Sequence, residues 1–298
     1  MELILIQSIM TTNTIFMTYK KNIPELVSKR WNRLNPNYEI DFSLDADCIN
    51  FLNENINKYV ADLFVSIKKG MYKADLWRLC KLYINSGVYA DVDLVPYLDI
   101  DKLDKEITFY SCMSIRAEYI FQAFIVNFSK PKHPLMFVFL LSFLVNNPYN
   151  YDDGPCNDMY NCIKYMLPNV NIIPGEKYEI DEVKLKISIG PSNENTKEIN
   201  LYYFPDEIQY SIHLVSNSYQ DCFSFEIKNN ILFVTRLDTN TGWEYSHSVD
   251  ICFHSKANIC FFKENIGANN NWVTSFVTHN NAKILDSRDL QYYFNSGW

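Results

Sequence analysis

The sequence has no run of about 20 apolar residues, the length a helix needs to cross a bilayer, so no membrane span is indicated. It has no evident cluster of Lys or Arg, and its net charge is −8. A nucleic-acid binder usually presents a basic patch, so that class of partner is set aside. Its eight cysteines form no Cys-x-x-Cys pair. They read neither as a zinc site nor as a disulfide framework, and reduced thiols in a cytosol are the simpler expectation. The opening MELILIQSIM is apolar but short and lacks a basic flank. It makes a poor signal peptide and reads as an opening strand or a disordered leader. No internal repeat is evident. What is present is material for a large core: 298 residues, 48% hydrophobic and 15% aromatic, enough for one big domain or two.

The most informative stretch runs from Tyr72 to Pro96, YKADLWRLCKLYINSGVYADVDLVP. At about 100° per residue, Leu76, Leu79, Cys80 and Tyr83 form one apolar helix face. Asp75 and Arg78, three apart, share a side at the margin of that face. An exposed pair of this kind contributes only about 0.2–0.5 kcal/mol, so Arg78→Ala is expected to leave stability nearly untouched. Asn85-Ser86-Gly87 should stop the helix, since Gly accepts left-handed backbone. Val88, Ala90, Val92 and Leu94 then alternate with Tyr89, Asp91 and Asp93, which is strand spacing and puts both carboxylates on one side. Such a pair suits a hard divalent cation, which is typically held by one or two carboxylates plus substrate phosphates.

A bare Asp-x-Asp is more often a solvated strand end, but the whole stretch resembles the sugar-binding region of glycosyltransferase family 32. That group includes the yeast initiating α-1,6-mannosyltransferase and giant-virus members, and is related to the clostridial glucosylating toxins. The family pattern, Ala-x-Asp-x-x-Arg-x-x-x-Leu followed by Gly-Gly-x-Tyr-x-Asp-x-Asp, is met by Ala74, Asp75, Arg78, Leu82, Gly87, Tyr89, Asp91 and Asp93. Ser86 replaces the first glycine. The resemblance implies a metal ion, Mn²⁺ or Mg²⁺, and a nucleotide diphosphate held by Asp91 and Asp93. It places Asp75, Arg78 and Tyr72 at the nucleotide sugar.

Elsewhere the match is thinner, covering roughly residues 14 to 165. Thr14 to Lys20 matches the family's opening strand at Ile15, Thr18 and Lys20, with Tyr19 for Trp. Thr18 or Tyr19 is then a nucleotide contact, with a plain buried strand the equal alternative. Pro24 to Leu34 reads as an amphipathic helix facing inward with Leu26, Val27, Trp31 and Leu34. Tyr38 to Phe42 is a strand, and Asp45 to Leu52 begins a helix. This β-α-β-α order is what the nucleotide half of a GT-A fold needs. Further strands are expected at 106–113 and 120–127, and a core helix at 135–145. His133 reads as a surface residue of that helix's first turn. Gln122 resembles a residue beside the donor sugar, with a polar group bonded inside the core as the alternative. Gly154-Pro155 reads as a fixed turn flanked by Asp152, Asp153 and Asp158. In family 32 such a turn sits at the mouth of the sugar site, so Asp153 and then Asp158 are the candidate catalytic carboxylates.

From Asn171 onward alternating β-prone runs dominate, and an antiparallel sheet or small sandwich is expected. Arg236 and Gly242-Trp243-Glu244 lie beside loops, and the same resemblance implies that a Gly-Trp element lines the acceptor side. The family's closing His-x-x-x-Ser-Trp is not found, and His247, His254 and His279 are the available substitutes. The expectation is an α/β GT-A fold, Rossmann-like for nucleotide-diphospho-sugars, over 1–170, with a β-rich part over 171–298 that completes the acceptor side or forms a small domain. The function expected is metal-dependent, retaining transfer of a hexose to a glycan or protein acceptor, in the cytoplasm, of the host if viral. A UDP-sugar is favoured over GDP-mannose as donor. The alternatives are a carbohydrate-binding protein with a decayed active site, and metal-dependent phosphoester hydrolysis. The second usually needs a further His or Asp cluster around a second ion.

Overall fold

The computed structural model describes residues 13–23, 25–116, 118–146, 154–189, 199–202, 210–214, 223–228, 231–236, 247–265 and 275–287. The chain opens with β1 (Thr14–Thr18), α1 (Glu25–Leu34) and β2 (Glu39–Ser43). Three helices follow: α2 (Asp45–Asn55), α3 (Lys58–Ser66) and α4 (Gly70–Asn85). Asn57 caps α3 by accepting the Val60 N–H at 2.9 Å, one of the donors a helix start leaves unpaired. Next come β3 (Gly87–Ala90), β4 (Leu94–Pro96), β5 (Phe109–Met113), β6 (Ile120–Asn127), α5 (Pro134–Asn146) and α6 (Gly154–Met166). Ten strands complete the described residues: β7 (Lys177–Ile180), β8 (Val183–Ile189), β9 (Ile199–Tyr202), β10 (Tyr210–Leu214), β11 (Phe223–Lys228), β12 (Ile231–Arg236), β13 (His247–Phe253), β14 (Ala257–Asn265), β15 (Phe276–His279) and β16 (Ala282–Ser287). Among these residues no helix is long and apolar enough to cross a membrane.

The main sheet runs β2-β1-β3-β6-β5-β14-β15-β16-β4, with β7 also paired to β14. β1 is parallel to both β2 and β3, so the chain leaves β1 on one side and returns on the other. That reversal is a topological switch point, and in α/β sheets ligands bind outside the carboxyl ends of strands at such points. β6 runs antiparallel between β3 and β5. The β-α-β-α order expected of a GT-A nucleotide half is present. β8, β13 and β10 form one small antiparallel sheet, and β9, β12 and β11 another. Four strands from beyond residue 170, namely β7, β14, β15 and β16, lie in the main sheet, and β14 runs parallel to β5. That parallel pairing departs from the all-antiparallel expectation.

Strand alternation sorts the core into two faces. Phe16, Tyr89, Ile125 and Phe261 face the helices α2 to α6. Their strand neighbours Ile15, Val88, Phe124 and Phe262 face α1 and the segment around β4. Trp31 of α1 stacks on Phe124 with ring centroids 6.1 Å apart. The helix over 134–146 is buried, as its apolar run predicts.

His133 is not a surface residue. It precedes Pro134, the first helical residue, and its Nδ1 accepts the Leu135 N–H at 3.2 Å. Its Nε2 pairs with the Lys256 carbonyl at 3.2 Å, across to the start of β14. Burial lowers its pKa to about 4, so the ring is neutral at ordinary pH.

Candidate active site

α4 ends at Asn85 because Ser86 turns to φ 53°, and Gly87 follows at φ 109°. A Cβ on Gly87 would sit 2.9 Å from the Phe16 ring, so this position requires glycine for space as well as for backbone conformation. β3 then runs only to Ala90. The Leu94 N–H bonds the Asp91 carbonyl at 3.1 Å, closing a turn over residues 91–94. The predicted strand alternation therefore stops one residue before Asp91. A tight turn that begins with Asp, a residue favoured there, replaces it. Asp91 and Asp93 still line one cleft, brought there by the turn instead of by the pleat.

This cleft, of about 470 Å³, lies at the carboxyl ends of β1 and β3. Thr18, Tyr19 and Lys20 enter it from the end of β1, and Asp45 from the start of α2. Phe64, Lys68 and Met71 come from the α3–α4 junction, and Lys73, Ala74 and Arg78 from α4. Thr18 is fixed by its hydroxyl, which donates to the Ser43 carbonyl at 2.9 Å. Lys73 is held by Asp45 at 2.8 Å.

Behind the carboxylates lies a buried ionic network. Arg78 is 4% exposed and Asp75 6%. The exposed-pair energy, and with it the expectation that Arg78→Ala leaves stability nearly untouched, therefore does not apply. The Arg78 Nη2 lies 3.2 Å from Asp75 Oδ1 and 3.4 Å from Asp91 Oδ1. Its Nε donates to the Ala74 carbonyl at 3.2 Å, and its Nη1 donates to the Gln122 carbonyl. The guanidinium carbon also sits 4.3 Å from the centroid of the Tyr89 ring. Tyr89 donates its hydroxyl to Asp91 Oδ1 at 2.5 Å. Burial works against the Arg78 charge, but Tyr89, Asp91 and Asp75 outweigh it and its pKa moves up. Burial raises the Asp75 carboxyl to about 6, against the pull of Arg78, and Asp91 adds to the rise. Burial likewise drives the Tyr89 hydroxyl well above its ordinary value, so it stays a donor.

The remaining candidates fall in several places. Gln122 is 2% exposed and does not line the cleft; its Nε2 donates to the Pro155 carbonyl at 2.8 Å. Its backbone carbonyl accepts from Arg78 Nη1. Tyr72 is buried in the core cluster beside α2 and α3, not in the cleft lining, because its neighbours Met71 and Lys73 take the outward positions. Gly154-Pro155 opens α6 instead of forming a free turn, since Pro fits the first turn of a helix. Asp158 lies on α6 and is not part of the cleft lining. Asp152, Asp153 and the Gly242-Trp243-Glu244 element lie outside the described residues, as do the side chains of His247 and Arg236. His254 is exposed beside Glu182, and His279 packs edge-on against Phe262; neither lines the cleft. Sequence reasoning assigned no role to Lys20, Lys68, Lys73, Phe64 or Met71, which the fold brings to the same cleft.

The family profile described as "Glycosyltransferase sugar-binding region containing DXD motif" matches residues 24–110, which include Asp75, Arg78, Asp91 and Asp93. Residues 24–110 are therefore similar to a glycosyltransferase sugar-binding region. Among solved structures, one titled "PaToxG Glycosyltransferase" is similar at 16% identity and a TM-score of 0.41, covering 53% of this chain and 70% of that one. The search of curated proteins returned no match. Arg78 and the carboxylates Asp91 and Asp93 of the matched motif line the same cleft.

Proposed function

We propose that the protein transfers a hexose, with retention, from a nucleotide sugar to a glycan or protein acceptor, with a divalent cation bound at Asp91 and Asp93. UDP-hexose is the favoured donor. The observation that carries the reading is the placement of both carboxylates in one cleft at the switch point of the sheet. The donor set fits the group. Among the described residues no cluster of three or more His, Cys, Asp or Glu could hold a metal by itself. Two carboxylates completed by substrate phosphates is instead the arrangement that Mg²⁺-type ions commonly use.

A cation held there supplies positive charge against the diphosphate leaving group. Arg78 and Tyr89 fix the orientation of Asp91 by engaging one of its oxygens. Asp75 in turn fixes Arg78, so these side chains hold one another in place. Preorganisation of this kind spares the cost of ordering the groups during reaction.

The test is calorimetric titration of UDP and GDP, with and without Mn²⁺, into the wild type and Asp93→Asn. Metal-dependent affinity in the wild type should disappear in the variant, while both proteins keep the same far-ultraviolet circular dichroism. Superimposable titration curves with the ion present would remove Asp93 from the site and overturn the metal assignment.

A further inference from the structure

Four cationic side chains reach the cleft: Lys20, Lys68, Lys73 and Arg78. Two of them already have anionic partners there. Lys73 pairs with Asp45 at 2.8 Å, and Arg78 lies between Asp75 and Asp91. Lys20 and Lys68 make no ion pair or side-chain hydrogen bond with any described residue. They also come from separate elements. Lys20 follows the carboxyl end of β1, and Lys68 sits in the short link between α3 and α4. Both are exposed.

The charges of the cleft can be followed group by group. Asp45 and Lys73 cancel. A divalent cation held by Asp91 and Asp93 forms a neutral unit with them. A nucleoside diphosphate esterified to a sugar brings about two negative charges that neither pair offsets. Lys20 and Lys68 are the two positive charges left in the cleft. We infer that Lys20 and Lys68 bind the diphosphate of the donor, with Lys68 reaching it from the α3–α4 link. This assignment rests on the nucleotide-sugar reading above. It adds two binding residues outside the Asp-x-Asp motif. Lysine suits the role as a point charge on a flexible stem, which needs no fixed fork geometry.

The test compares UDP and GDP with their monophosphates and nucleosides, all with Mn²⁺, in the wild type, Lys20→Ala, Lys68→Ala, the double variant and Lys68→Arg. Each alanine should weaken the diphosphate about tenfold, the scale of losing one hydrogen bond to a charged group. The nucleoside should be unaffected, and the monophosphate should lose less than the diphosphate. Lys68→Arg should recover most of the Lys68→Ala loss, and the penalty of Lys68→Ala should shrink at high salt. If the double variant binds the diphosphate like the wild type, while Asp93→Asn still loses the metal-dependent affinity, the lysine assignment is wrong and the parent reading stands. If the wild type binds neither diphosphate with Mn²⁺, both fall together. Equal loss of nucleoside and diphosphate would show that the substitutions deform the cleft, which also overturns the assignment.

Discussion

Arg78 is the residue on which the site's electrostatics turn. It is buried with two carboxylates and a tyrosine hydroxyl around it. Removing one partner of a buried ion pair typically costs about 3–5 kcal/mol, because the other charge is left uncompensated in low dielectric. Arg78→Ala should therefore lower stability by about that amount, read from urea denaturation. This reverses the near-zero effect that the i, i+3 spacing alone suggests. A sequence shows that Asp75 and Arg78 are neighbours. It does not show that Gln122 of β6 and Cys156 of α6 come up against them. The lysines of the cleft were illegible for the opposite reason. Lys20 and Lys68 look like any solvated lysines until the fold brings a strand end and a helix link together. His133 is a second residue whose burial was hidden, by the Lys and Pro beside it. Its pKa is lowered by burial to about 4, so the unfolded chain binds more protons between about pH 4 and 6.5. Stability held by neutral His133 is full above about pH 6.5 and is lost as pH falls through about 4. His133→Asn keeps a capping acceptor for the Leu135 N–H without titrating. The acid-side fall in melting temperature should be shallower in that variant than in the wild type.

Among the elements, the helix over 70–85 was legible because its apolar positions recur at helical spacing and a glycine follows its end. Its stop was less legible, because the residue that makes the turn is Ser86, at φ 53° and ψ −173°. This backbone lies at the edge of a region that almost only glycine enters, and holding another residue there costs roughly 1–3 kcal/mol. Ser86 offsets part of that with its hydroxyl, 2.5 Å from the Asn85 carbonyl. Ser86→Gly should raise stability by about 1 kcal/mol once the extra freedom of glycine in the unfolded chain is counted. That corresponds to a rise of about 2–4 °C in melting temperature for a chain of 150–250 residues, and somewhat less here. An unchanged or lower melting temperature would mean that the hydroxyl's bond outweighs the strain. The end of β3 was misread for a different reason. Asp91, Val92 and Asp93 fit both strand alternation and a tight turn, and local pattern does not choose between them. The hydrogen bond from Asp91 N to the Ala123 carbonyl keeps β6 alongside to that point, and beyond it the chain turns. In the same way Gly154-Pro155 serves a turn or a helix start equally well until the residues after it are seen to continue α6.

For the whole molecule, the sheet crosses the boundary that a change of sequence texture suggests near residue 170. Strand β14 covers β5 along five paired residues, Phe109 to Met113 against Ile259 to Lys263. The β-prone texture beyond Asn171 pointed to strands, of which β14 is one, but a buried apolar run carries no address, so its partner could not be read. A chain ending at residue 170 would leave β5 with an open edge and Phe109 without its strand partner Ile259. Such a fragment should be largely insoluble, or show no cooperative melting when expressed beside the full chain. A soluble, cooperatively melting fragment would show that β14 is dispensable to the catalytic half.

The order of synthesis makes that pairing a matter of timing. Thr108 and Asn258 bond across 150 residues of chain. At about 5–20 residues per second, β14 leaves the ribosome roughly 8–30 s after β5. Through that interval the nascent chain holds β5 beside β6 with its other flank unpaired, far longer than the microseconds a hairpin needs to form. A ribosome-bound chaperone should therefore crosslink to the 109–113 strand in chains stalled short of residue 257 and release it once β14 has emerged.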